Sequence, residues 1–232
     1  MLCGIPLGCA DDDHSEFRWV STAGAPGGSS RFGGNVSAFD SILHTGRLFL
    51  RPLEPDDAPS LLQYAQDNRV WLEPWEPARS ESYYTLEVQR NILCQCQHDR
   101  REGNGVLFGI FEQGNGRKVL GRISISGIVR GIWQNGFIGY SVDYTRTGRG
   151  YMTESLRRVV LYSFAELDLH RVQAFILPRN KASVRVAEKV GFRSEGLASR
   201  YMEIDNVWED HVIYAFTVED LRDAIPSSFS AK

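Results

Sequence analysis

The chain has 232 residues, 42% of them apolar and 11% aromatic, with a formal net charge of -3. That is material for one domain with a sizeable core and an appendage, and the charge excludes bulk electrostatic attraction to nucleic acid or an anionic membrane. No apolar run reaches the length that spans a bilayer, and four cysteines (Cys3, Cys9, Cys94, Cys96) form neither paired zinc spacing nor a disulfide framework.

The opening "MLCGIPLGCA" is apolar, but it lacks a basic start and runs into Asp11-Asp12-Asp13, against a signal peptide. Free thiols suit a reducing cytosol, so a cytoplasmic setting is expected. Residues 1–44 include the aperiodic "STAGAPGGSSRFGGN". Such composition cannot offset its ordering entropy, and a disordered leader is expected. The domain is expected over residues 45–222, with a short tail at 223–232.

"RLFLRPL" alternates like a strand. In "EPDDAPSLLQYAQDN", Pro55 and two aspartates start a helix with Leu61, Leu62 and Tyr64 on one side. "VWLEPWEPARSES" holds two prolines and two tryptophans and reads as an extended loop. "YYTLEVQRNILCQCQHDRREGNG" reads as a second helix burying Leu86, Ile92, Leu93 and Cys96. Three strands follow, "GVLFGIFE", "KVLGRISISGIVRG" and "NGFIGYSVD", whose short connections imply an antiparallel meander. A helix from about Tyr151 to Leu167 carries the stripe Met152, Leu156, Val159, Val160 and Phe164. Next come a buried strand, "HRVQAFILP", and a short helix ending at Gly191, where a left-handed cap is wanted. Two final strands flank a turn at Asp205-Asn206. The predicted order is β-α-α-β-β-β-α-β-α-β-β, an α+β fold of about seven strands.

The informative stretch is "YTRTGRGYMTES". It joins a strand end at Asp143 to a helix start. A first helical turn leaves backbone N–H groups unpaired and adds positive potential. Gly148 and Gly150 would let an anion approach without a Cβ in the way, as in a phosphate cradle. No Gly-Lys-Ser/Thr follows, so it is not a Walker loop, and G-x-G-x-x-G is absent. On this stretch alone a plain helix cap with an incidental glycine pair is an equal alternative.

The stretch Thr145-Arg146-Thr147-Gly148-Arg149-Gly150 resembles the pyrophosphate signature Q/R-x-x-G-x-G/A of the GNAT superfamily of N-acetyltransferases, with Thr at the first position as a departure. "GFIGYSVD", "RGYMTESL", "LHRVQAFILPRNKASVRVAEKVGF" and "SEGLASRYMEIDNVWEDHVIYAF" are similar to its RimJ/RimL branch, the ribosomal-protein-alanine N-acetyltransferases. "RLFLRPLEPDDA", "WLEPWEP" and "GIVRGIWQNGFIGYSVD" sit closest to the RimJ side. The resemblance spans roughly Arg47 to Asp220. It implies the GNAT fold, a mixed, mostly antiparallel twisted sheet with helices on both faces. It also implies acetyl-CoA as cosubstrate, no metal, and acetyl transfer to a protein N-terminus, that of ribosomal protein S5 with its N-terminal alanine above all. A free small amine as acceptor, or a CoA-binding module without catalysis, are the alternatives. Either a monomer or a homodimer is compatible.

The resemblance also assigns residues. Two strands splay, and pantetheine would pair with the backbone of Ile138, Tyr140 and Val142. The backbone of Arg146, Thr147, Gly148, Arg149, Gly150, Tyr151, Met152 and Thr153 would hold the pyrophosphate. Asn180 suits a helix N-cap and would also contact the pantetheine arm, with Ser183 as candidate acid for the departing thiolate. A neutral amine attacks a thioester, so the developing oxyanion needs a donor, for which a backbone N–H suffices. An α-amino group with a pKa of about 7.7–8.0 needs only modest base help. Glu203 and Glu76 are candidate bases, each also readable as a solvated carboxylate, whereas His170 and His211 read as structural. Trp71, Trp75 and Tyr201 would line the acceptor groove, with core packing of the tryptophans as the alternative.

Overall fold

A computed structural model describes residues 36–224. Eight strands form one sheet in the order β1-β2-β3-β4-β5-β6-β8-β7. They are β1 (Leu43–His44), β2 (Leu48–Pro52), β3 (Val106–Glu112), β4 (Gly121–Val129), β5 (Asn135–Val142), β6 (Arg171–Ile176), β7 (Arg193–Ile204) and β8 (Val207–Thr217). Every neighbouring pair is antiparallel except β5 and β6. That parallel pair needs a crossover, which α4 (Tyr151–Ala165) supplies. The other helices are α1 (Ala58–Asp67), α2 (Arg69–Leu72), α3 (Leu86–Arg101), α5 (Lys181–Val190) and α6 (Val218–Ala224).

The period of two along the strands divides the core. Val106, Phe108 and Ile110 of β3 join α4 and α5 residues such as Leu156, Val159 and Ala187 in one cluster. The intervening Leu107 and Phe111 join Leu61, Tyr64, Ile92 and Leu93 of α1 and α3 in the other. The sheet is therefore covered on both faces, and β3 reads as a near-continuous apolar run because neither of its faces meets water. Gly109 interrupts that run. A Cβ there would meet Leu53 Cδ2 at 2.5 Å.

Four local expectations change. The sheet has eight strands because Leu43–His44 pairs with Phe49–Leu50. Packing begins before Thr45: Phe39 is 2% and Leu43 0% exposed, each burial contributing roughly 1.5–3 kcal/mol, so the residues from Phe39 to His44 belong to the folded body. Residues 1–35 of the expected leader, with Cys3 and Cys9, lie outside the described residues, as do 225–232 of the expected tail. The Trp-Pro segment is not extended: it forms α2 and short 3-10 turns at Glu73–Trp75 and Glu81–Tyr84, proline at the first turn being compatible with helix. Leu86 is 49% exposed; it occupies the first position of α3, after the Thr85 cap, and is not among the residues that helix buries.

Candidate active site

β5 and β6 pair only over Asn135–Phe137 and Arg171–Gln173. β5 stays paired to β4 through Val142. From Ile138 onward its other edge therefore has no strand partner. The side chain of Ile138 is 1% exposed and belongs to the core, and Ile138 is not among the residues that line the cleft beside this edge. The Tyr140 hydroxyl donates to the Ser183 carbonyl at 2.9 Å.

At the end of β5, the Asp143 carboxylate accepts from the Thr145 amide at 2.8 Å and from the Thr145 hydroxyl at 2.6 Å. Asn68, fully buried, accepts from the Tyr144 amide at 2.8 Å and donates to the Tyr64 carbonyl at 2.9 Å. Gly148 and Gly150 then adopt left-handed conformations, φ 73° and 77°, which glycine takes without penalty. A Cβ on Gly148 would meet nothing within 4 Å, so the space beside it is open. Gly150 is the N-cap of α4, and no side chain caps that terminus.

Glu154 sits in the first turn of α4, where its charge would favour the dipole but repel an anion. Arg47 holds it through Nε at 2.9 Å, Nη2 at 2.6 Å and the backbone amide at 3.0 Å, and Thr45 donates at 2.6 Å. Burial pushes the Glu154 carboxyl up, but the Thr45 and Arg47 bonds outweigh it and hold the carboxyl below its usual range. Arg47 also donates to the Arg149 carbonyl at 3.1 Å.

A cleft of about 280 Å3 opens along this edge. Of the expected cosubstrate residues, Tyr140, Val142, Arg146, Thr147, Gly148, Gly150, Tyr151, Met152, Thr153, Asn180 and Ser183 line it. Arg149 does not: it is exposed and meets Arg47 through its carbonyl. Thr145 is turned onto Asp143 and is also outside the lining. Asn180 caps α5, accepting from the Ser183 amide at 3.0 Å, while 7% exposed in the cleft wall. Trp71 and Trp75 form the facing wall with Leu72. Trp71 is 44% exposed, so core packing accounts for little of it. Arg179 stacks over Trp75 at 5.0 Å and donates to the Pro74 carbonyl at 2.9 Å.

The remaining candidates lie elsewhere. Glu203 is exposed on β7 opposite Trp208 and does not line the cleft. Tyr201 also lies outside the cleft lining, its ring stacked on Phe175 at 4.4 Å. Glu76 is 4% exposed and spent on Arg122, whose Nη2 donates to both carboxylate oxygens at 2.9 and 3.2 Å. Burial pushes Glu76 up, yet the guanidinium of Arg122, with that of Arg79 at 3.8 Å, outweighs it and holds the carboxyl below its usual range. A carboxyl held so low is a poor proton acceptor at neutral pH. His211 is buried, its Nδ1 3.0 Å from the Glu209 carbonyl, and burial lowers its pKa. His170 meets Glu219 at the surface.

Pattern reading missed Arg47, Asn68, Ser141, Arg185 and Lys189. The last three of these line the cleft. Arg185 and Lys189 were legible as one face of α5, four residues apart. Arg47 and Asn68 act across more than 70 residues of chain, and no local period marks them.

Comparison with known proteins agrees with this geometry. A family model described as "Acetyltransferase (GNAT) domain" matches residues 47–193. A Bacillus subtilis protein named probable N-acetyltransferase YjcK is 41% identical over 173 residues, 75% of this chain and 95% of the relative. The [ribosomal protein uS5]-alanine N-acetyltransferase of Escherichia coli is 34% identical over 178 residues, 77% of this chain and 91% of the relative. The solved structure of Mycobacterium smegmatis RimJ in complex with CoA-disulfide superposes with a TM-score of 0.75 at 30% identity, covering 79% of this chain and 90% of that one. A GNAT domain built round an opened strand pair and a glycine-framed helix start is therefore the body of this molecule, and the chain belongs to the GNAT acetyltransferase family.

Proposed function

We propose that this chain transfers the acetyl group of acetyl-CoA to the N-terminal α-amino group of a protein, with a ribosomal protein beginning in alanine as the favoured acceptor. The observation that carries the reading is the unpaired edge of β5 running into the uncapped terminus of α4 beside the empty space at Gly148. An extended chain of amides ending in a diphosphate fits that sequence of features: edge carbonyls and amides for the amides, first-turn N–H groups for the diphosphate. Arg146, Arg185 and Lys189 add positive charge to the cleft. The named relatives from Escherichia coli and Mycobacterium smegmatis support both the cosubstrate and the acceptor class.

The chemistry is direct. The amine forms the new C–N bond, the thioester C–S bond breaks, the amine sheds one proton and the thiolate takes one up. Ser183, a cleft-lining residue at the start of α5, is the candidate donor to the thiolate. The lining residues include no aspartate, glutamate or histidine among the described residues, so the amine's proton passes to water. Only the neutral amine attacks. The rate should thus rise about tenfold per pH unit below the acceptor's own pKa of about 7.7–8.0 and level off above it.

The test is a mass-detected panel of peptides beginning Ala, Ser or Met beside free amines, each with acetyl-CoA. Product on the alanine peptide, with a pH profile that tracks the amine's pKa, supports the reading. Product on free amines alone would replace it with a small-molecule acetyltransferase. Tight CoA binding with no product would leave a binding module.

A further inference from the structure

Arg122 is a charged residue in the middle of a sheet, 5% exposed. β4 alternates Ile123 and Ile125 into the α4–α5 core, so Arg122 projects to the opposite face, opposite Ser141 of β5. Its donors reach three side chains in two segments. Nη2 meets Glu76, Nη1 meets the Tyr83 hydroxyl at 3.2 Å, and Nε meets Ser141 Oγ at 3.3 Å. The Tyr64 hydroxyl of α1 donates to the same Ser141 Oγ at 2.9 Å.

Glu76 and Tyr83 lie in the irregular segment 69–84 that supplies Trp71, Leu72 and Trp75 to the cleft, while Ser141 lines the cleft from the other side. Behind the wall is a second cavity of about 170 Å3, lined by Glu76, Arg79, Tyr83, Arg122 and, shared with the cleft, Leu72. The ion pair lines the second space, and Leu72 is the residue common to both. Buried ion pairs add little net stability against an apolar replacement of equal volume, but removing one partner strands the other charge in low dielectric. What such a pair fixes well is geometry, and Arg's rigid fork fixes it in a plane.

We propose that Arg122 is a positioning residue for the acceptor: paired with Glu76 and Tyr83, it holds the Trp71–Trp75 wall at its set distance from β5. This rests on the acetyl-transfer reading for its kinetic consequence but not for its structural one. The phosphate loop has its own fastenings at Asn68, Asp143 and Arg47, so loss of Arg122 should spare it. Arg122→Met leaves buried Glu76 charged and facing only Arg79, at 3.8 Å. Glu76→Gln keeps the shape and removes the charge.

The experiment measures three quantities on the full chain of both variants: amide hydrogen exchange, acetyl-CoA Kd by calorimetry, and KM for a peptide beginning with alanine. Exchange over residues 69–84 should speed roughly tenfold, exchange over 143–155 should hold, Kd should stay within about twofold, and acceptor KM should rise roughly tenfold. Arg122→Lys keeps one charge and loses the fork, and should fall between wild type and Arg122→Met on both exchange and KM. Unchanged exchange over 69–84 would overturn the proposal, as would equal losses in Kd and acceptor KM. Should Arg122→Met fail to fold, the isosteric Glu76→Gln decides. A wild-type chain that acetylates no peptide would refute the proposed function, yet the exchange data would still judge the wall.

Discussion

The two sides of the cleft are built by different means. The loop after β5 is made from backbone: a short carboxylate cap at Asp143, two left-handed glycines and the amides of a helix terminus. The opposing wall is made from side chains, tied through a buried arginine that gathers Glu76, Tyr83 and Ser141. Backbone geometry leaves a periodic, short-range trace in sequence. A side-chain tie across 46 residues, as between Glu76 and Arg122, leaves none. The difference teaches where each side should resist change: the loop is expected to fail when a side chain is added at a glycine, the wall when a charge is removed.

The largest test of that contrast is Gly148→Val. A β-branched residue is strained at φ 73°, and its side chain would occupy the space an anion needs. Acetyl-CoA KM should rise about a hundredfold, consistent with roughly 2–3 kcal/mol of lost binding, with acceptor KM little moved and the thermal midpoint lowered by the strain of a β-branched residue at positive φ, about 1–3 kcal/mol. An unchanged acetyl-CoA KM would reject the cradle.

Asn68→Ala removes a side chain that reaches from the α1–α2 junction to the loop, and leaves the part-buried Tyr144 amide without its acceptor. Such orphaning costs about 1–3 kcal/mol. Thermal midpoint and acetyl-CoA KM should move together. If only the midpoint falls, the two sides are independent after all.

Acid titration sharpens the comparison from both sides. Glu76 and Glu154 each have a folded pKa below the usual carboxyl range. The unfolded chain therefore binds more protons as pH falls. Stability from each is present above an unfolded pKa of about 4.3 and is lost as pH drops through the folded value. Melting scans between about pH 3 and 5 should show a shallower acid loss for Glu76→Gln than for wild type. The corresponding change for Glu154→Gln should be smaller and should shrink in high salt, because its partner Arg47 is 52% exposed. Equal, salt-insensitive changes would erase the distinction between buried and surface pair.

The smallest effect belongs to Arg47→Ala. A pair this exposed contributes about 0–1 kcal/mol, so stability should barely change. Glu154, freed beside the loop, should raise acetyl-CoA KM by about threefold through repulsion. A drop of several degrees in the melting point would show that Arg47 is structural instead.

Much of the loop was legible in "TRTGRG" and the helix after it, because positive-φ glycines and helix termini follow from local rules. Asn180 was legible as a cap for the same reason, and the structure shows it capping α5. The two carboxylates were not. Glu203 and Glu76 were placed by neighbouring motif alone, and strand register puts the first outside the cleft lining while a distant arginine absorbs the second. Leu86 and the Phe39–His44 segment failed for the complementary reason: an apolar residue is buried only if another element covers it, and Tyr162 of α4 bonds the Ala38 carbonyl and shares a core cluster with Phe39, whereas Leu86 stays 49% exposed.

The sequence by itself determined the order of the major elements, the alternation of strands such as the one at Leu48–Pro52, and a glycine-flanked helix start after Asp143, because these depend on periods and backbone preferences within a few residues. Only the tertiary structure decided that β5 and β6 part company after three paired residues, which carboxylates are free and which are held, and what stands across the cleft from the loop. Those depend on contacts between segments far apart in the chain, where the free energy of burying a charge is set by whichever partner the fold brings to it.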